Sequence, residues 1–241
     1  MIWVTAFLVN AVLIGLAQRI PLLTPVGWVH AGILGTVLWG SLGWQGWSSV
    51  VAYLVLGSLV TKLGWAVKQK RGLEEGRGGR RGPENVWGSA AVGAVLALMV
   101  AGGLQPANVL LVGFAASFAA KLADTFGSEI GQRWGRTTLL ITTLRPVPAG
   151  TEGAISLEGT LASAVGSVVM STVMLLFGLI TTMPGLLLIS AVGLIATLAE
   201  SFLGALAQHR IKWLSNEAVN GIQTLFAAFL AMGLASGFHL A

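Results

Sequence analysis

Between Lys121 and Arg136 the sequence reads KLADTFGSEIGQRWGR, so Lys, Asp, Glu, Gln and two Arg follow an almost wholly apolar run. Read as a helix, Lys121, Asp124, Ser128 and Gly131 stand at i, i+3, i+7 and i+10 and share one face. An Asp carboxylate holds a hard cation such as Mg2+ through oxygen. Lys neutralises phosphate, and a bare Gly lets phosphate approach the backbone. The set suits a metal-bound polyphosphate. The structural alternative is a Lys121–Asp124 ion pair at the membrane edge, with the Lys stem snorkelling outward. Ionisable groups at such depth are costly, which favours function. Glu129 lies elsewhere on the wheel and is expected to pair with Thr125 at i+4.

A second polar cluster, TTLRPVPAGTEGAISLEG, begins at Thr142. Pro146 and Pro148 prevent a helix there. Gly150, Gly153 and Gly159 permit unusual backbone angles, with Thr151 and Ser156 among them. Glu152 and Glu158 add metal or water ligands on one reading. On the other, SLEGT caps the next helix. Glu200 sits inside an apolar run, so it should face the bundle interior with Ser201 beside it. Its partners would be Lys121, Arg136 or a shared metal; the alternative is a protonated Glu making one interhelical hydrogen bond. Asn216 and Asn220 present two amides at i and i+4; an N-cap explains Asn216 but not Asn220. The Gly-rich basic stretch 67–87 carries Arg80 and Arg81. It reads either as a topogenic loop touching anionic lipid or as a phosphate site, since Arg forks match phosphate oxygens.

These side chains need a scaffold, and composition says which kind. Of 241 residues, 55% are hydrophobic and 10% charged, and the mean hydropathy is +0.82. Soluble domains of this length are not so apolar. The 33 glycines suit membrane helices in close approach. The absence of cysteine excludes disulfides, thiolate metal sites and Cys nucleophiles. His30, His209 and His239 show no zinc-binding spacing. The N-terminal stretch lacks a basic leader and reads as a retained membrane helix, with no transit peptide before it.

At about 20 apolar residues per span, the expected fold is an all-α, polytopic transmembrane bundle. Its eight helices fall near 2–17, 26–40, 48–66, 88–103, 107–123, 159–180, 185–207 and 219–238. The whole chain, 1–241, forms one domain, with a basic loop at 67–87 and an active-site loop at 124–158. The odd-numbered connections hold the charges: Arg19 in the first, the basic loop with Lys68, Glu74, Glu75 and Arg77 in the third, Arg133, Arg136, Arg145, Glu152 and Glu158 in the fifth, and Arg210, Lys212 and Glu217 in the seventh. SLGWQGW, GLQPAN and TTMPG, the even-numbered ones, carry none. The charged face is therefore cytoplasmic by the positive-inside rule, and both termini lie opposite.

ADTFGSEIGQRWGR, LITTLRPVPAGTEGAIS, AESFLGALAQ and NEAVN resemble an integral-membrane family long known only as a domain of unknown function, which contains the phytyl-phosphate kinases. The resemblance spans roughly residues 75–240. It implies transfer of a phosphoryl group from a nucleoside triphosphate to phytyl phosphate, giving the diphosphate used in tocopherol and related prenyl-lipid synthesis. A more distant likeness is to the dolichol kinases and the CTP-dependent phytol kinases. These carry Asp, Gly seven residues on, then Gly-Arg and an EGT segment; here the positions are Asp124, Gly131, Gly135, Arg136 and LEGTLAS from Leu157. That likeness implies CTP as donor and Mg2+ as metal. By resemblance, Asp124, Ser128 and Glu129 become metal and phosphate positions, and Gly150, Thr151, Glu152 and Gly153 the second phosphate loop. Glu200 stands where relatives carry Asp, and Ser89 where they carry Asn. Asn216 and Asn220 fit the NxxxN pattern.

The expected enzyme is thus a kinase on a prenyl monophosphate. Asp124, with Glu129, Glu152 and Glu200, would hold Mg2+. Lys121, Arg136 and Arg145 would neutralise charge during transfer, and the bundle interior would take the prenyl tail. The attacking phosphate oxygen is already anionic, so no strong base is required. One alternative is a cytidylyltransferase that attacks the alpha phosphorus of CTP. Another is a lipid transporter or scramblase, against which stands the gathering of charge at one face rather than at mid-membrane. Expected partners are the nucleotide, the prenyl phosphate and membrane lipid, with no nucleic acid; the Gly-rich helices are compatible with a homodimer. The expected location is a bacterial inner or photosynthetic membrane, with the site facing the cytoplasm.

Overall fold

A computed structural model describes residues 1–73, 76–208, 210–211 and 213–238. Glu74, Glu75, Lys212, His209 and His239 lie outside the described residues. The elements in order are α1 (Ile2–Ala17), α2 (Pro25–Lys62), α3 (Trp65–Arg71), a 3-10 turn (Gly76–Gly79), α4 (Pro83–Ala101) and α5 (Ala107–Trp134). Then come β1 (Leu139–Leu140), β2 (Ala154–Ile155), α6 (Leu157–Leu176), α7 (Met183–Leu203), a π-helical turn (Gly204–Gln208) and α8 (Asn216–Phe238). Six of the helices are long and apolar enough to cross a bilayer.

The 38 residues of α2 merge two expected spans, and Gly43 resolves the discrepancy. Its φ of 68° and ψ of −163° are not helical, and the helix folds back there into limbs 25–42 and 44–62. A straight helix would hold Gly27 and Gly57 about 45 Å apart. Both instead pack on Arg81: a Cβ on Gly27 would lie 2.6 Å from the Arg81 carbonyl oxygen, and one on Gly57 3.0 Å from its guanidinium. Counting the limbs separately restores eight membrane segments, with SLGWQGW at the bend. That backbone geometry is open to Gly and strained for other residues. Gly43→Ala should cost about 1–3 kcal/mol, read as a lower thermal midpoint in detergent with the polar end of the molecule unaltered.

The core is centred on α5, whose 107–123 stretch is Ala-rich. Phe114, Phe118, Leu122, Met170, Met174 and Ile189 are fully buried around it. The α5–α6 contact is close because small residues face one another. A Cβ on Gly159 would meet the Gly127 carbonyl oxygen at 2.9 Å and the Gly131 Cα at 3.2 Å, the small-residue packing typical of membrane helices. Among the described residues these side chains fill the midsection around α5.

Among the described residues, every Lys, Arg, Asp and Glu lies at one end of the bundle. The ends of α5 and α7, the starts of α4, α6 and α8, and the connection after α2 all meet there. The start of α1 and the end of α8 lie at the other end, where Trp3 packs on Gly40.

Candidate active site

The polar end encloses a cavity of about 430 Å3. Its floor is α5. The helix runs past the apolar core to Trp134, so Lys121, Asp124, Ser128 and Gly131 do share one face and all line the cavity. Lys121 is buried and pairs with Asp124. It also donates to the Asn220 side-chain oxygen at 2.8 Å, which explains the second Asn of α8. The start of α8 is capped by Ser215, whose hydroxyl accepts from the Ala218 amide at 3.2 Å. Asn216 is thereby released to line the cavity.

Glu200 projects from α7 into the same space and lies within electrostatic reach of Asp124, Lys121 and Glu152. The expected inward-facing carboxylate is therefore found, with Lys121 rather than Arg136 near it. Its neighbour Ser201 donates to the Thr197 carbonyl at 3.2 Å.

The connection between α5 and α6 forms one wall. Leu139 and Leu140 pair antiparallel with Ile155 and Ala154. The tip between them returns so that Gly150, Thr151, Glu152, Gly153 and Ser156 line the cavity. Ser156 also caps α6, accepting from the Gly159 amide at 3.1 Å. This loop rests on the π-helical turn that ends α7, an irregularity common at functional sites. At Gly153 the φ is +73°, and a Cβ would lie 2.5 Å from the Ser201 carbonyl oxygen and 2.7 Å from the Ala205 amide nitrogen. Gly153→Ala must therefore lift the loop. Activity should fall by about tenfold to a hundredfold with unchanged helix content by circular dichroism.

The opposite wall is the segment before α4. Arg80 and Arg81 line the cavity, as does Arg77, which donates to Glu84 at 2.6 Å. Arg81 is fixed at both ends. Its amide donates to the Leu22 carbonyl at 3.1 Å, its carbonyl accepts from the Thr24 amide at 3.0 Å, and its guanidinium donates to the Tyr53 hydroxyl at 3.3 Å.

Three expected residues stand apart. The Arg136 side chain is 92% exposed, with a 3.9 Å ion pair to Glu158, to which the Arg136 backbone amide also donates at 3.4 Å. Arg145 is exposed on the loop. Gly135 packs on Ser156 rather than lining the space. Glu129 does line the cavity, and the Thr125 hydroxyl donates to the Lys121 carbonyl at 3.0 Å. The Glu129 carboxylate is bound by Lys68, which is 0% exposed and also donates to the Thr61 carbonyl at 2.7 Å. That buried ion pair joins α3 to α5 across 61 positions of sequence and has no local signature. Tyr53, Asn85 and Thr197 likewise line the cavity unforeseen.

Among the described residues, no three Asp, Glu or His side chains form a ready-made metal cage. Asp124 and Glu200, with Glu152 nearby, nevertheless fit Mg2+, which takes one or two carboxylates and completes its shell with substrate phosphates and water. The cavity can therefore seat phosphate groups between a carboxylate floor and an Arg wall.

Comparison with known proteins places the chain in a family. The chain is 46% identical to an uncharacterized membrane protein of Synechocystis sp. over 96% of its own length and 91% of that protein's. It is 40% identical to the chloroplastic protein VTE6 of Arabidopsis thaliana, over 87% of this chain and 64% of the plant protein. An uncharacterized membrane protein of Methanocaldococcus jannaschii is 31% identical over 86% of this chain and 83% of its own. No solved structure matches. The family model described as integral membrane protein DUF92 matches residues 8–228, and the chain belongs to that family of integral membrane proteins.

Proposed function

We propose that this protein is a membrane phosphotransferase that moves the terminal phosphoryl group of a nucleoside triphosphate, CTP by resemblance, onto phytyl or a related prenyl monophosphate. One observation carries the reading: a Lys121–Asp124 pair with Glu200 beside it, at the floor of a polar cavity whose walls are Arg80, Arg81 and the Gly150–Gly153 backbone. The cavity sits at the charged end of a lipid-embedded bundle, where a soluble nucleotide and a membrane-bound phosphate can meet. The motif likeness to phytyl-phosphate kinases and the similarity to a chloroplastic plant protein support the prenyl substrate.

In the proposed reaction a monophosphate oxygen of the lipid attacks the terminal phosphorus. The bond from that phosphorus to the bridging oxygen breaks, and the nucleoside diphosphate leaves with the electron pair. The nucleophile is already ionised, so no side chain needs to take a proton. Lys121, held in place by Asp124 and Asn220, faces the charge that gathers on the transferring group. Arg80 and Arg81 neutralise the remaining phosphates in forked geometry. Asp124 and Glu200 would hold Mg2+, which supplies bridging and charge neutralisation when bound. Arg136 and Arg145 would contribute only if the loop moves inward. By the distribution of basic residues, the site faces the cytoplasm of a bacterial inner or photosynthetic membrane.

The test is direct. Purified protein is incubated in detergent with phytyl phosphate, CTP and magnesium, and both products are identified by mass spectrometry. Phytyl diphosphate with CDP is the expected outcome. CDP-phytol with inorganic diphosphate would reassign the chemistry to nucleotidyl transfer. No product with any nucleotide would overturn the proposal.

A further inference from the structure

Resting on that reading, a second hollow gains a meaning. It measures about 350 Å3 and is lined by Leu22, Ser58, Thr61, Lys62 and Trp65 with the Gly78–Gly79 backbone. Thr61 and Gly79 also line the phosphate cavity, so the two spaces adjoin at these residues. The neighbouring Arg81 backbone is held by its hydrogen bonds to Leu22 and Thr24. Arg80 and Arg81 face the polar cavity, while Gly78 and Gly79 face the hollow.

Three features decide what the hollow can hold. Leu22 and the Trp65 ring give it an apolar side that phosphate would not seek. Leu59 and Leu63, on the same helix end, are 58% and 48% exposed, so it lies beside the lipid-facing surface. Lys62 and Trp65 are residue types that settle at the membrane–water interface. The filled midsection of the bundle denies a long hydrocarbon any path downward from the cavity. A lipid whose phosphate lies between Asp124 and Arg81 must therefore lead its chain out sideways.

We infer that the groove bounded by Leu22, Ser58 and Trp65 receives the isoprenoid chain of the prenyl phosphate, as a lateral opening from the bilayer to the phosphate cavity. The chain lies along Leu22 and the Trp65 ring and passes Thr61 and Gly79, and its far end remains in the membrane. The groove thus favours a long isoprenoid chain over a short one, whereas the cavity selects for phosphate.

The experiment has two readouts. The first is photolabelling: phytyl phosphate carrying a diazirine in its chain is irradiated with the detergent-solubilised full chain, with and without excess unlabelled phytyl phosphate, and labelled peptides are mapped. Labelling of Leu22, Ser58 or Trp65 that the unlabelled compound suppresses is expected. A probe that labels no groove residue overturns the inference, as does labelling suppressed by phosphatidylglycerol but not by phytyl phosphate. This readout needs no turnover, so it distinguishes failure of the groove from failure of the proposed reaction. The second is kinetic: Leu22→Trp should lower kcat/KM for phytyl phosphate at least about tenfold more than that for isopentenyl monophosphate. An equal fall for both substrates, or a fall for neither, would also overturn it.

Discussion

If the proposed reaction holds, Asp124→Asn will leave a folded protein that forms prenyl diphosphate at least about a hundredfold more slowly at saturating magnesium. The amide keeps the shape of the carboxylate but removes the charge opposite Lys121 and leaves one neutral carbonyl oxygen in place of two anionic ones. Lys121 keeps its hydrogen bond to Asn220, so the floor of the cavity should hold its form. The measurement is steady-state product formation alongside a thermal melt. Normal turnover would remove Asp124 from the reaction. A collapsed melt would instead assign the pair a structural role. Lys121→Met provides the complementary test, because it removes the cation and leaves Asp124 free to bind metal.

The Lys68–Glu129 pair predicts a comparably large effect of another kind. Both side chains are buried, at 0% and 5% exposure. Glu129→Gln leaves a lysine charge without its carboxylate in a dry setting and should destabilise the protein by about 3–5 kcal/mol. Lys68→Met should do the same from the opposite side. The double variant should cost clearly less than the sum, since neither charge is then stranded. Denaturation of the four proteins in detergent closes the cycle. Additive changes would mean that the two side chains do not stabilise each other.

Much of this architecture was legible in the chain. The alternation of charged and uncharged connections identified SLGWQGW as a bend even though α2 is formally continuous, because a Gly-flanked, charge-free segment between two apolar runs has to turn within or beyond the membrane. The 3.6-residue period placed Lys121, Asp124 and Ser128 on one face, where they are found. Glu200 could be directed inward by cost alone. What stayed hidden depends on pairs far apart in sequence. Lys68, which binds Glu129, lies 61 residues upstream, in a stretch that reads as a topogenic loop or a phosphate site. It is drawn inward because α3 folds over α5, which no local pattern encodes. Arg136 belongs to the most conspicuous motif yet points to solvent, since α5 ends at Trp134 and the chain turns away. The packing of the midsection was hidden for a simpler reason: a run of Ala and Leu does not reveal whether helices meet or leave a space, and here Phe114 and Phe118 are fully buried between them.

The closed midsection also bears on sidedness. On the proposed reaction, a lipid that reached the cavity from one leaflet would find no passage through the packed core and would depart as it came. The added negative charge would stay on the face where the nucleotide is consumed, and the larger anionic headgroup would make spontaneous flipping still slower. The protein would therefore act as a source of asymmetry, enriching one leaflet in diphosphate lipid. Whatever uses that lipid must work from the same side of the membrane or rely on a separate flippase.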